Sequence, residues 1–166
     1  MTDKPDDAQW GDINDSFLGQ IYLVRDEQCI PLRLSRADDR FTWTGVESHD
    51  WLQAGGQEAS PVFKFVFHSR TDDRIHVHVL GTGSHSGKKL GISRNGYLGL
   101  YRVAEVVDHL KLEPLNWEQD LLRCRLRDHL GHQVKAEPDH DNRKVRDAVF
   151  LTTGEGAVHD YVIRRV

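Results

Sequence analysis

A spacing constrains this chain more than any other feature of its sequence. Val24-Arg25-Asp26 followed by Leu32-Arg33-Leu34 recurs 102 residues later, without a gap, as Leu126-Arg127-Asp128 followed by Val134-Lys135-Ala136. Between them lies a third version with an insertion, Val79-Leu80-Gly81 and then Leu90-Gly91-Ile92. In each, an apolar strand ends, a polar turn follows, and an alternating strand begins. Leading strands start near Phe17, Arg74 and Leu121, and closing strands fall near Phe63, Leu110 and Val162. A recurrence on this scale marks a chain built from like supersecondary units. Three units of about four short strands each describe it.

The local patterns agree. Ile30, Leu32 and Leu34 alternate with polar residues, as do Phe41 and Trp43, then Phe63, Phe65 and Phe67. Ile75, Val77 and Val79 take one face of a strand and turn His76 and His78 to the other. Asn95-Gly96, flanked by 90–93 and 97–101, is a strong hairpin signal because both residues tolerate positive φ. With further runs at 110–112, 122–126, 134–136, 149–152 and 158–166, about twelve short strands result, as in an all-β barrel or sandwich. One stretch conflicts. Asn116 to Gln119 has the form of a capping box, and Leu122, Leu126 and Leu130 follow at helical spacing. The same stretch alternates as a strand from Leu122 to Arg127. The recurrence pairs it with two strand-like segments, so strand is expected, with an α+β fold carrying a helix over 116–130 as the alternative. Residues 103–110 are a weaker helical candidate.

The 166 residues, 38% of them apolar, suit one domain with a real core. No apolar run approaches the length of a membrane-spanning helix. The net charge of −4 lies wholly in residues 1–15, which carry five aspartates and one lysine. These residues read as an acidic, disordered tail before a single domain over 16–166. The remainder is neutral overall, which argues against a dedicated nucleic-acid binder. The start has no basic-then-apolar signal, and two cysteines fit a reduced cytoplasmic protein without a disulfide scaffold. Cys29 and Cys124 both read as apolar-facing core thiols.

The segment from Ser86 to Leu98, Ser-Gly-Lys-Lys-Leu-Gly-Ile-Ser-Arg-Asn-Gly-Tyr-Leu, resembles the repeat of the β-trefoil superfamily, above all its fascin-like and fibroblast-growth-factor-like members. Lys89 stands where that repeat usually has an aromatic residue. Gly131-His132-Gln133-Val134 is a fainter copy, and Cys29-Ile30-Pro31-Leu32 lacks the glycine. The resemblance implies three four-stranded repeats, forming a six-stranded barrel capped by three hairpins. Another β-barrel or sandwich is the alternative. The superfamily carries lectins, growth factors, actin binders and inhibitors, so it implies no single function. The Gln-any-Trp motif of its ricin-type lectins is absent.

Chemistry concentrates in 81–102, which carries Lys88, Lys89, Arg94 and Arg102 and no acid. Its opening Gly-Thr-Gly-Ser-His-Ser-Gly-Lys is not a phosphate loop. The spacing of glycines fails, and a strand follows where a helix is needed. As a loop on a rigid scaffold, it is the expected ligand-binding site. His85, Lys88 and Lys89 would contact negative charge, and Asn95 and Tyr97 would add hydrogen bonding and stacking. His76 and His78, with His68 nearby, are weak candidate metal ligands, since a site needs three or four convergent groups. The acidic Asp72-Asp73 and Asp139-His140-Asp141 read as turns. Trp51, in a polar loop over 49–60, is a candidate sugar platform.

The expected function is a non-catalytic binding module that recognises a carbohydrate or another anionic ligand, without a cofactor. The alternative is a protein–protein interaction module, either an inhibitor or an assembly subunit. A histidine-based metal-dependent enzyme ranks last, because no pair of residues has the spacing of a catalytic constellation.

Overall fold

The computed structural model describes residues 16–35, 51–56, 58–93, 96–102, 108–118, 120–140 and 147–166. The acidic segment 1–15, the strand expected over 40–45 and residues 103–107 of the helical candidate over 103–110 lie outside the described residues, and Leu110 begins a strand. Among those described there are thirteen β-strands and no α-helix.

Six strands close a barrel: β1 (Phe17–Arg25), β4 (Phe63–Arg70), β5 (Ile75–Gly81), β8 (Leu110–Trp117), β9 (Leu121–Arg127) and β13 (Asp160–Arg165). Every contact around the ring is antiparallel: β1 with β13, β13 with β9, β9 with β8, β8 with β5, β5 with β4, and β4 back to β1. Closure removes both sheet edges. The alternation read from the sequence fills the interior. Ile21, Leu23, Phe63, Phe65, Ile75, Val77, Leu112, Leu122, Cys124, Tyr161 and Ile163 are all buried there.

The other strands lie outside the ring. β2 (Gln28–Leu34) pairs with β1 through a two-residue turn in which Asp26 and Glu27 both have positive φ. From β2 a single arm continues through β3 (Leu52–Ala54) and β11 (Val149–Thr152) to β10 (Lys135–Pro138) and β12 (Ala157–Val158). β6 (Lys88–Ile92) and β7 (Leu98–Arg102) form a separate hairpin on β5.

This organisation corrects the β-trefoil resemblance. The structure is a closed six-stranded antiparallel barrel with one long arm and one hairpin outside it. It does not show three equivalent four-stranded repeats. The broader expectation of an all-β barrel stands. The helix over 116–130 does not form. β8 runs to Trp117, and β9 places Leu122, Cys124 and Leu126 in the core between β8 and β13. Pairing on both sides satisfies a whole strand of backbone groups, and this outweighs a local capping preference. Pro114 sits next to a bulge in β8, which leaves Leu115 exposed. The short strand β3 falls inside the segment read as a polar loop.

Candidate functional site

β5 sits between β4 and β8 in the barrel wall. Its alternation sends Ile75, Val77 and Val79 into the core and His76 and His78 outward. On the β4 side, Val66 faces His78 and Ser69 faces His76. The register slips between Phe67 and Ser69, so His68 is the extra residue of a bulge. Bulges re-aim side chains, and this one brings His68 over the same outer face. On the β8 side, His76 faces Lys111 and Val77 faces Leu110, which sets His109 alongside β5.

The four imidazoles form one cluster. His109 is the middle ring of a stack, 4.7 Å from His76 at 16° and 4.6 Å from His68 at 20°. His78 stands edge-on to His68 at 5.2 Å and to His109 at 6.4 Å. Ser69 Oγ lies 2.7 Å from His68 Nδ1 and 2.9 Å from His76 Nδ1. A hydroxyl has one hydrogen to give, so in the neutral state Ser69 donates to one Nδ1 and accepts from the other. The tautomers of His68 and His76 are thereby linked. Among the described residues, His76 Nε2, His78 Nδ1 and His109 Nε2 are buried without a hydrogen-bond partner. Native interiors rarely leave such atoms unsatisfied, so three in one cluster are notable.

The charge around the cluster is mostly positive. Burial first, then Lys111, His68 and Arg74, hold His76 below its ordinary value. Burial, then Lys89 and His68, do the same to His78. His109 is pushed down to about 4, by burial first and then by His76, His68, Lys111 and His78. Burial also lowers Lys89, against the pull of Asp108. At neutral pH these three rings are therefore held in the neutral form.

The residues singled out in the sequence divide among three places. Lys89 is buried in β6, where it pairs with Leu80 of β5 and its charge reaches His78. Lys88, half-buried beside it, faces Arg102. His85 ends a short 3-10 turn and lines a depression of about 280 Å³ with Arg33, Ser35 and Glu58. Tyr97 stacks on Trp51 and meets Phe150 edge-on, joining β7, β3 and β11. Asn95 lies outside the described residues. Trp51 is likewise engaged by its neighbours and is not an open platform. Cys124 is a buried thiol, as expected, but Cys29 is exposed and not a core residue. Asp139 is buried and accepts a 2.8 Å hydrogen bond from Gln53 Nε2.

His76 and His78 do come together with two further histidines. Stacked rings hold their in-plane nitrogens side by side, not toward one point. Among the described residues no group of three or more His, Cys, Asp or Glu side chains is arranged to hold a metal ion. His109 is the member that the sequence reading missed. No local pattern marked it, because its place depends on the pairing of β5 with β8. Comparison with family models, curated proteins and solved structures finds no match to this chain.

Proposed function

We propose that the protein is a non-catalytic binding module for an anionic ligand, with an acidic carbohydrate the best fit. The observation that supports this reading most is the four-histidine cluster on the outer face of β4, β5 and β8, flanked by Lys89, Lys111 and Arg74. Imidazole and ammonium groups donate hydrogen bonds to sulfate and carboxylate oxygens, and charge-assisted bonds are the stronger ones. The basic stretch over 81–102 contributes Lys89 directly to this face. Imidazoles also offer flat surfaces for sugar rings. His85, Lys88, Asn95 and Tyr97 stay in the proposal as further ligand contacts. A reducing cytoplasm, which keeps the exposed Cys29 as a thiol, is the compartment assigned with it.

A glycan array with sulfated, sialylated and neutral species tests the reading. A hit on acidic species that weakens with salt and is lost in Lys89→Ala and His78→Ala supports it. A blank array in both mildly acidic and neutral buffer overturns it. The reading then passes to a protein-interaction module. The observation for that alternative is the exposed apolar edge of Leu18, Leu121 and Val166 at one end of the barrel.

A further inference from the structure

The stack that makes the cluster also limits when it can act. His109 lies between two other imidazoles, and among the described residues His76 Nε2, His78 Nδ1 and His109 Nε2 are buried without a hydrogen-bond partner. Stacking of this kind suits neutral imidazoles. Two adjacent imidazolium rings with centroids 4.6–4.7 Å apart would repel across a partly desolvated gap. The surroundings add to that repulsion. β4 contributes His68. β5 and the turn before it contribute His76, His78 and Arg74, and β6 contributes Lys89. β8 and its lead contribute His109, Lys111 and one acid, Asp108. Asp108 is itself 3.6 Å from His129 Nε2.

We infer that the four-histidine cluster is a protonation-gated site, closed while its rings are neutral and opened to a polyanion, a sulfated or carboxylated saccharide, when they become charged. This rests on the anionic-ligand reading above and adds its regulation. Proton uptake changes two things together. Like charges drive the stacked rings apart, which uncovers the nitrogens of His76, His78 and His109. Each protonated ring then presents N–H donors only, which suits an anion and no cation. The relay through Ser69 changes too. If both Nδ1 atoms carry hydrogen, Ser69 Oγ accepts from both, and its own hydrogen turns outward as a further donor. A bound anion compensates the accumulated charge, so ligand and protons bind with mutual reinforcement. His76, His78 and His109 titrate as a coupled set, not one at a time.

Isothermal titration with sucrose octasulfate, a compact sulfated sugar, tests the gate at constant ionic strength near pH 4 and near pH 7.5. The expected result is affinity at least about ten-fold higher in the acidic buffer, a factor well within the usual range of ligand coupling. Enthalpies should vary with the buffer's ionisation heat in the sense of proton uptake. His109→Gln and His78→Gln should reduce the pH dependence to within about two-fold, and His140→Gln, outside the cluster, should leave it intact. NMR titration of the imidazole carbons of the unaltered protein needs no variant to fold. There the ligand should raise the titration midpoints of the cluster histidines. Equal affinity at both pH values, or a pH dependence untouched in both cluster variants, overturns the gate and leaves the anionic-ligand reading standing. Binding at neither pH overturns both.

Discussion

Trp51 and Tyr97 stack ring on ring, with centroids 5.0 Å apart and planes 18° from parallel. They come from separate parts of the architecture, Trp51 at the start of β3 and Tyr97 at the start of β7, and Phe150 of β11 meets both edge-on. The rings tie the arm to the β6–β7 hairpin. Isolated backbone bridges between Trp51 and Gly99 and between Tyr97 and Thr152 reinforce the tie.

Tyr97→Leu should therefore act first on stability. Loss of an aromatic pair costs about 0.5–1.5 kcal/mol beyond the change in buried area. Urea denaturation followed by tryptophan fluorescence reads the loss. Unchanged stability with abolished ligand binding would instead make Tyr97 a contact residue.

Leu112 of β8 is fully buried at the centre of the barrel, opposite Ile75 on one side and Leu126 on the other. Leu112→Ala should destabilise by about 2–5 kcal/mol, the transfer term plus the cavity left behind. The same method gives the value. Leu130→Ala, on an exposed turn residue, is the control and should stay within about 0.5 kcal/mol.

A side chain at Gly81 would run into the carbonyl oxygen of His85. Gly81→Ala must displace the turn over Gly83–His85, and a cost of about 1–3 kcal/mol is expected for such overpacking. The altered turn would move His85 away from Arg33 and Glu58. Amide chemical shifts confined to 82–88 and to the neighbourhood of Arg33 would confirm the displacement.

Stability should fall on acidification. His76, His78 and His109 are held below 6.5 in the folded protein. From 6.5 down to about 4, the value for His109, the unfolded chain therefore binds more protons than the folded one. Stability is full above this window and is lost as pH falls through it. For His109 the displacement corresponds to at most about 3 kcal/mol, reduced by solvent screening. Thermal denaturation at several pH values reads the slope, and His109→Gln should flatten it. A slope unchanged in that variant would place the proton-linked cost elsewhere.

Much of the fold was legible because a barrel wall is a two-faced object. Phe63, Phe65, Ile75, Val77 and Val79 had to share one side once their strands were recognised, and the 102-residue recurrence decided β9 against a helical local preference. Other features were not legible. β3 is three residues long, too short for alternation to show, and its partners lie 20 and about 95 residues away. Cys29 is exposed because it is of opposite parity to Ile30, Leu32 and Leu34 and lies close to the turn before β2, so reading it as a core thiol set aside the strand's own alternation.

Local pattern was enough to sort the faces of the barrel strands that carry Phe63, Phe65, Ile75, Val77 and Val79, to place a polar turn between β1 and β2, and to point His76 and His78 the same way. Those properties follow from the two-residue period of a strand and from the φ preferences of turn residues, both of which act over a few positions. Long-range pairing, in contrast, set the closure of β4 onto β1, the joining of the outer strands into one arm, and the meeting of His68 and His109 with His76 and His78. The bulge after Phe67 and the pairing of β5 with β8 bring them there. Register across strands distant in sequence depends on how the whole barrel closes, and no local pattern encodes that choice.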